Sequence, residues 1–494
     1  MDITRKGAQR EEIGYEIMQG EKARIAYFSM EIGINERIPT YSGGLGILAG
    51  DTVRSFADLS VPSVALSLLY KKGYFYQELD ENGRQKELPY EWDPSEILTP
   101  LPNRVTVTIE GRTVHVGAWR YMATGISEYS VPVIFLDTDI EQNSDYDRSL
   151  TYYLYGGDER YRLAQEIVLG IGGVRMLNDL SYRKIDRYHM NEGHASLLTL
   201  ELLQEKRKQD DTEVWDIEGV RMLCVFTTHT PVPAGHDKFS YDLVKQVLGD
   251  FVPMDLLKKF GGEEKLNMTL LALNLSHYVN GVAKEHGKVS REMFPGYTIN
   301  SITNGVHSYT WVCDHFKQLF YKYISGWAND PFSLRYALSI PREEIWETHQ
   351  QAKRLLVDYV NEFCGAKMEY ETFTIGFARR ATAYKRADLV FYDTGRLTSL
   401  CRKAGALQII FAGKSHPRDM EGKRLIERIV EIANSLKKDM SIVYLPNYDI
   451  SLAKLLAPGV DLWLNTPCKP QEASGTSGMK AAHNGVPSLS ILDG

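Results

Sequence analysis

Nine short apolar runs, each closed by glycine or polar residues, constrain the fold of this chain more than any other feature of its sequence. Four lie at 24–29, 61–66, 131–136 and 222–227; after a largely helical middle, five more follow at 373–377, 407–411, 442–445, 460–464 and 486–492. Runs that are apolar throughout suit strands buried on both faces, and such strands alternating with helices build parallel sheets. Two series therefore predict an α/β chain of two Rossmann-like domains, with ligands beyond the carboxyl ends of the strands and the cleft between domains as the default active site. The boundary is expected near residue 305, after Thr303-Asn304-Gly305, giving 1–305 and 306–494. A length of 494 residues is too great for one ordinary core.

With 43% hydrophobic and 24% charged residues and a net charge of -7, the chain has no basic surplus to attract nucleic acid or an anionic membrane. Residues 1–10 lack the apolar core of a leader, and no run approaches the roughly 18 apolar residues of a membrane span, so a cytoplasmic protein is expected. The five cysteines are odd in number, scattered and free of any CxxC pair, so neither a disulfide framework nor a zinc ribbon is indicated.

The densest chemistry lies in Glu472-Ala473-Ser474-Gly475-Thr476-Ser477-Gly478-Met479-Lys480, between a predicted strand and a predicted helix. Free N–H groups in the first helical turn, facing a Gly-Ser-Thr loop, suit a phosphate or a sugar hydroxyl. Tyr41-Ser42-Gly43-Gly44-Leu45-Gly46 precedes another helical run, and its backbone is either a tight turn or a second anion cradle. Arg379-Arg380-Ala381-Thr382-Ala383-Tyr384-Lys385-Arg386 follows a predicted strand directly, and four cations so close together repel unless anions lie between them, the alternative being a solvated basic face. His229, just past another strand, reads by composition as a turn histidine held by threonines. His189 and His194 stand five apart, off a common helix face, so no metal is expected there.

Taken together, these segments resemble the α-glucan phosphorylase family of glycogen, starch and maltodextrin phosphorylases, in its short bacterial and archaeal form, from about Tyr27 to the last residue. The motifs EASGTSGMK, RRATAYKR, YSGGLG, FTTHTP, NEGH, VNGVAKEH and TNGV carry the resemblance. It implies a glycosyltransferase-B-like pair of domains facing across a deep cleft, with pyridoxal 5'-phosphate as cofactor. It also implies a retaining reaction in which inorganic phosphate splits terminal α-1,4-linked glucose from glycogen, starch or maltodextrin to release glucose 1-phosphate, and a homodimer as the default assembly.

By the same resemblance Lys480 holds the cofactor as a Schiff base, while Thr476, Ser477, Arg379 and Tyr448 serve the cofactor, whose phosphate relays a proton. Arg380, Lys385 and the backbone of Gly44 and Leu45 match the groups that bind substrate phosphate. Glu472, Ala473, Ser474, Gly475, Asn304, Tyr384 and His229 would hold the glucosyl unit, with the Val279-Asn280-Gly281 segment lining the pocket. Thr382 stands where vertebrate members have histidine, and Asp449 where they have an arginine for the cofactor phosphate.

The first strand, opening at Arg24, leaves no room for the control segments of animal enzymes, so allosteric control is expected to be absent. The end at Gly494, where members continue for several helices, implies a compact member or a truncated chain. Two rivals share part of these features. One is a nucleotide-sugar-dependent glucan synthase of the same fold, which has no use for Lys480; the other is a non-catalytic glucan-binding protein.

Overall fold

The computed structural model describes residues 23–494 apart from 210, 212, 233 and 234, so the amino-terminal stretch read for a leader lies outside the described residues. The chain forms two compact units: residues up to Tyr74 with Tyr90–Thr303, and Phe75–Pro89 with Asn304–Gly494.

The first unit is built on a nine-stranded sheet. In spatial order its strands are Asn300–Ser301, Tyr278–Gly281, Cys224–Thr227, Arg187–Asn191, Ile25–Ser29, Ser63–Leu68, Ser130–Asp137, Arg112–Thr124 and Thr99–Ile109. The first seven run parallel; Arg112–Thr124 runs against them, and Thr99–Ile109 pairs antiparallel with Arg112–Thr124. Successive side chains of a strand face opposite layers. Accordingly Ala26 and Phe28 join one apolar cluster while Tyr27 joins another, and all six residues of Ser63–Leu68 are buried.

The expected parallel pairing holds for seven of these strands, while the sheet as a whole is mixed. Residues 99–124 form a long hairpin whose two-residue turn, Glu110-Gly111, has φ of 53° and 73°, as a tight hairpin turn requires. Its first strand alternates exposed and buried residues instead of forming an apolar run, so a search for continuous runs passes over it.

The second unit carries a five-stranded parallel sheet in the order Ser441–Leu445, Leu407–Ala412, Phe373–Ala378, Leu462–Asn465 and Ser488–Ser490. Ala378, Ile410 and Ala412 face one apolar cluster, and Phe377, Ile409 and Phe411 face the other. A short hairpin, Tyr76–Leu79 with Gln85–Leu88, belongs to this unit although it lies far from the rest in sequence. The buried Gln77 amide donates to the Gly413 carbonyl at 3.1 Å, and the Gln85 amide to Ser415 O at 2.9 Å. No helix among the described residues is long and apolar enough to cross a membrane.

Candidate active site

In the second unit the parallel strands Phe373–Ala378 and Leu462–Asn465 are neighbours, so the loops at their carboxyl ends share one edge of the sheet. Arg379 follows the first directly and Asn465 ends the second, and the Arg379 guanidinium donates to Asn465 Oδ1. The two loops are stitched together by the Arg386 side chain, whose Nε donates to Thr466 O at 2.9 Å and whose Nη2 donates to Pro467 O at 2.8 Å. Arg386 itself sits at φ 48°, a left-handed conformation unusual for a side-chain-bearing residue and held here by these bonds. Cys468 N–H adds a bond to Tyr384 O at 2.7 Å.

This stitching places the Glu472 carboxylate between two cations. Oε2 lies 2.8 Å from Arg379 Nη2 and 2.5 Å from Lys385 Nζ, and all three side chains are at least nine-tenths buried. Burial opposes ionisation of Glu472, but Arg379 and Lys385 together outweigh it and hold the carboxyl below the usual carboxylate range. Burial, and then the Arg379 charge, push the Lys385 ammonium down to about 7 against the pull of Glu472. The Lys385 ammonium also lies 4.6 Å from the centre of the Tyr384 ring, and burial followed by the Glu472 charge raises the Tyr384 hydroxyl to about 12. A buried triad with one surplus positive charge suits an anion that brings its own acceptors.

Arg380 is exposed beside the triad, and its charge also bears on Lys385. Tyr448 is half-buried within reach of the Arg379 charge. Asp449 caps the helix Ile450–Gly459, its Oδ1 accepting from Leu452 N–H at 2.9 Å, so its carboxylate has a structural use where an arginine is expected in the family.

The loop from Glu472 turns at Gly475, whose left-handed φ of 72° favours glycine, into the helix Thr476–Ala482. Ser474 Oγ is buried without a partner, and Ser477 Oγ accepts from the Trp463 indole at 3.1 Å. Lys480, within that helix, lays its ammonium 3.8 Å from the centre of the Trp311 ring, a cation–π contact. Ala473 lies half-buried between Glu472 and Ser474. Asn304 is half-buried in the loop before the helix Ser308–Trp311, outside the hydrogen-bonded clusters of the described residues.

A cofactor with an aldehyde and a phosphate needs one amine and a set of cationic and hydroxyl donors. Lys480, the Arg379 guanidinium, the Tyr448 hydroxyl, and Ser474 with its unpaired Oγ make a donor set of that chemistry in one unit. These residues fit pyridoxal phosphate. No group of three or more His, Cys, Asp or Glu among the described residues could hold a metal ion.

The first unit carries a second polar cluster, again beyond strand carboxyl ends. Glu192, at φ 75°, is buried; it accepts from His229 N–H at 2.8 Å, Thr230 Oγ1 at 3.0 Å and Gly193 N–H at 3.0 Å. His229 Nε2 lies 2.6 Å from Asn191 Oδ1, whose amide nitrogen is spent on Ser29 Oγ. Burial pushes His229 down to about 4 although Glu192 opposes it, so the ring is neutral and carries its proton on Nε2. The Val279 side chain packs in the apolar core, which leaves only its backbone for other uses.

Gly44 and Leu45 open the helix Gly44–Asp58. Neither Gly43 nor Gly44 has positive φ, and a Cβ added at either would meet nothing within 4 Å. Neither backbone strain nor packing demands glycine at either position, and the bare backbone there is open to close approach. The sequence reading missed Asn465 and the anchoring of the 42–46 loop. Asn465 has no motif signal, since its role comes from strand adjacency.

Comparison with known proteins matches residues 252–494 to the carbohydrate phosphorylase family. A maltodextrin phosphorylase of Thermococcus litoralis is 40% identical over 95% of this chain and 60% of its own length. A glycogen phosphorylase of Mycobacterium tuberculosis is 38% identical over 95% and 60%, and one of Aquifex aeolicus 34% identical over 96% and 74%. The chain thus spans about 60% of the length of the first two of these relatives.

Proposed function

Because the chain belongs to the carbohydrate phosphorylase family, we propose that it splits terminal α-1,4-linked glucose from a glucan with inorganic phosphate, releasing glucose 1-phosphate with retention. The observation that carries this reading is the buried triad of Arg379, Glu472 and Lys385 on the loops that lead to Lys480. Maltodextrin and glycogen, named in the relatives, are the candidate glucans. Five free cysteines suit the reducing cytoplasm as its setting.

Lys480 would bind pyridoxal phosphate covalently, with Arg379, Tyr448, Thr476 and Ser477 holding its phosphate. When bound, the cofactor supplies a phosphate group that relays a proton to the substrate phosphate. Two unit charges 4 Å apart repel by about 4 kcal/mol at an effective dielectric of 20, which explains the concentration of cations. Arg380, Lys385 and the Gly44 and Leu45 N–H groups would take the substrate phosphate. An arriving anion favours the charged form of Lys385, which burial and the neighbouring arginines, opposed by Glu472, leave near half-protonated at neutral pH.

Glu472 would accept from two hydroxyls of the glucosyl unit, since an ionised carboxylate has oxygens to spare beyond its cation contacts. Tyr384, Asn304 and the backbone of Ala473, Ser474, Gly475 and Val279 complete the sugar contacts. The His229 carbonyl would stabilise positive charge at the anomeric carbon, its imidazole kept neutral so that it adds no opposing charge.

The test is to incubate cofactor-loaded protein with maltodextrin and phosphate and measure glucose 1-phosphate. Its formation, lost in Lys480→Ala, is expected. Glucosyl transfer from a nucleotide sugar with no phosphorolysis would establish the synthase reading instead.

A further inference from the structure

We propose that Glu31 is a positioning residue that holds the 42–46 loop in the form offering the Gly44 and Leu45 N–H groups to phosphate; its role toward phosphate rests on the phosphorolysis reading above. Glu31 lies two residues beyond the strand Ile25–Ser29 and is 2% exposed. Its Oε2 accepts from Ser42 N–H at 2.6 Å and Gly43 N–H at 3.2 Å; its Oε1 accepts from Ser42 Oγ at 3.1 Å and the Tyr155 hydroxyl at 2.7 Å. A buried carboxylate with four donors is a rigid anchor.

The anchor is selective. Gly43, the N-cap, has no side chain with which to satisfy the first turn of the 15-residue helix Gly44–Asp58. Glu31 takes the two N–H groups that precede the helix and leaves the next two, at its first turn, pointing onward as helix geometry requires. A Cβ at Gly46 would stand 2.7 Å from Glu31 Oε2 and 2.6 Å from Tyr41 Cβ, so this glycine exists to let the carboxylate lie against the turn. Gly33 N–H donates to Gly46 O at 2.8 Å, and Arg54 Nη2 donates to Ile34 O at 2.8 Å, fixing the helix to the same segment. Behind Glu31, burial and then the Glu31 charge raise the Tyr155 hydroxyl well above its ordinary value, so it stays a donor. The Arg162 guanidinium lies 4.4 Å from the centre of the Tyr155 ring and supplies a counter-charge.

Glu31→Gln puts an NH2 group in place of one acceptor, facing backbone donors. The test compares holoenzyme with Glu31→Gln and with the milder Tyr155→Phe, by KM for phosphate, KM for maltodextrin, and amide hydrogen exchange of residues 41–46. Glu31→Gln should raise the phosphate KM about tenfold and speed exchange in 41–46 by a similar factor. The maltodextrin KM and cofactor content should stay at wild-type values, with Tyr155→Phe shifting the same two readouts less. Unchanged exchange in Glu31→Gln, or an equal rise in both Michaelis constants, would overturn the proposal. A wild-type enzyme that makes no glucose 1-phosphate brings down the phosphorolysis reading and the role toward phosphate with it, while the exchange result still reports whether Glu31 anchors the loop.

Discussion

At residue scale, Lys385 links burial to a measurable pH dependence. Its ammonium titrates near 7 because burial and Arg379 disfavour the charge, so raising the pH through that value removes a cation from the proposed phosphate site. We expect kcat/KM for phosphate to fall above about pH 7 in wild type and much less in Lys385→Arg, which keeps its charge throughout. Phosphate's own ionisation is common to both proteins, so the difference between their profiles isolates Lys385; superimposable profiles would remove it from the phosphate site. For Glu472→Gln the charge that strengthens hydroxyl contacts in the transition state is lost while the shape remains. Turnover should drop by roughly two orders of magnitude, about 2.7 kcal/mol, at unchanged cofactor content. Near-normal turnover would make Glu472 a structural partner of Arg379 and Lys385 only. Lys480→Ala should yield folded protein that no longer retains pyridoxal phosphate, and borohydride reduction of wild type should fix the cofactor to the peptide containing Lys480; labelling elsewhere would refute the assignment.

At element scale, the 23-residue helix Arg342–Cys364 is fastened to the sheet of its unit by one buried carboxylate. Asp461 accepts from Lys353 Nζ at 2.6 Å and Thr374 N–H at 2.7 Å, and pairs with His349 Nε2 at 2.8 Å. Burial alone would push the Asp461 carboxyl above its ordinary pKa, but the His349 and Lys353 bonds outweigh this and hold it below that value. A depressed folded value means stability that is present above the unfolded carboxylate pKa of about 3.9 and is lost as the pH falls through the lower folded value. Asp461→Asn strands the Lys353 ammonium, whose side chain is 2% exposed, and should cost about 3–5 kcal/mol by urea unfolding at pH 7. That difference should shrink in acid, and a variant as stable as wild type at pH 7 would show that the helix is held by packing alone.

At the scale of the whole molecule, the second unit depends on a hairpin borrowed from an early part of the chain. Gln77 exchanges bonds with Asn447, Gln85 with Ser415, and Lys414 donates to Phe75 O at 3.0 Å. Residues 304–494 alone would lose these hydrogen bonds to the hairpin, at about 0.5–1.5 kcal/mol each. They should unfold at lower urea than the same residues with 75–89 joined on; equal midpoints would make the hairpin dispensable. This hairpin was invisible in the sequence because Tyr76–Leu79 and Gln85–Leu88 are polar and short, and nothing local says which sheet they serve. The apolar strands were legible for the opposite reason: Phe373–Ala378 and Leu407–Ala412 are recognisable from their own residues, which burial on two faces forces to be apolar. Arg187–Asn191 escaped that reading, being a strand whose polar residues serve the His229 cluster. The sequence by itself determined the α/β class, the loop Glu472 to Lys480 and the cation run after Phe373–Ala378, since these are contiguous and their chemistry is local. Tertiary structure alone decided that Glu472 lies between Arg379 and Lys385, that Glu31 grips the glycine loop and that Asp461 holds Lys353, because each joins residues whose separation along the chain carries no trace of their meeting in space.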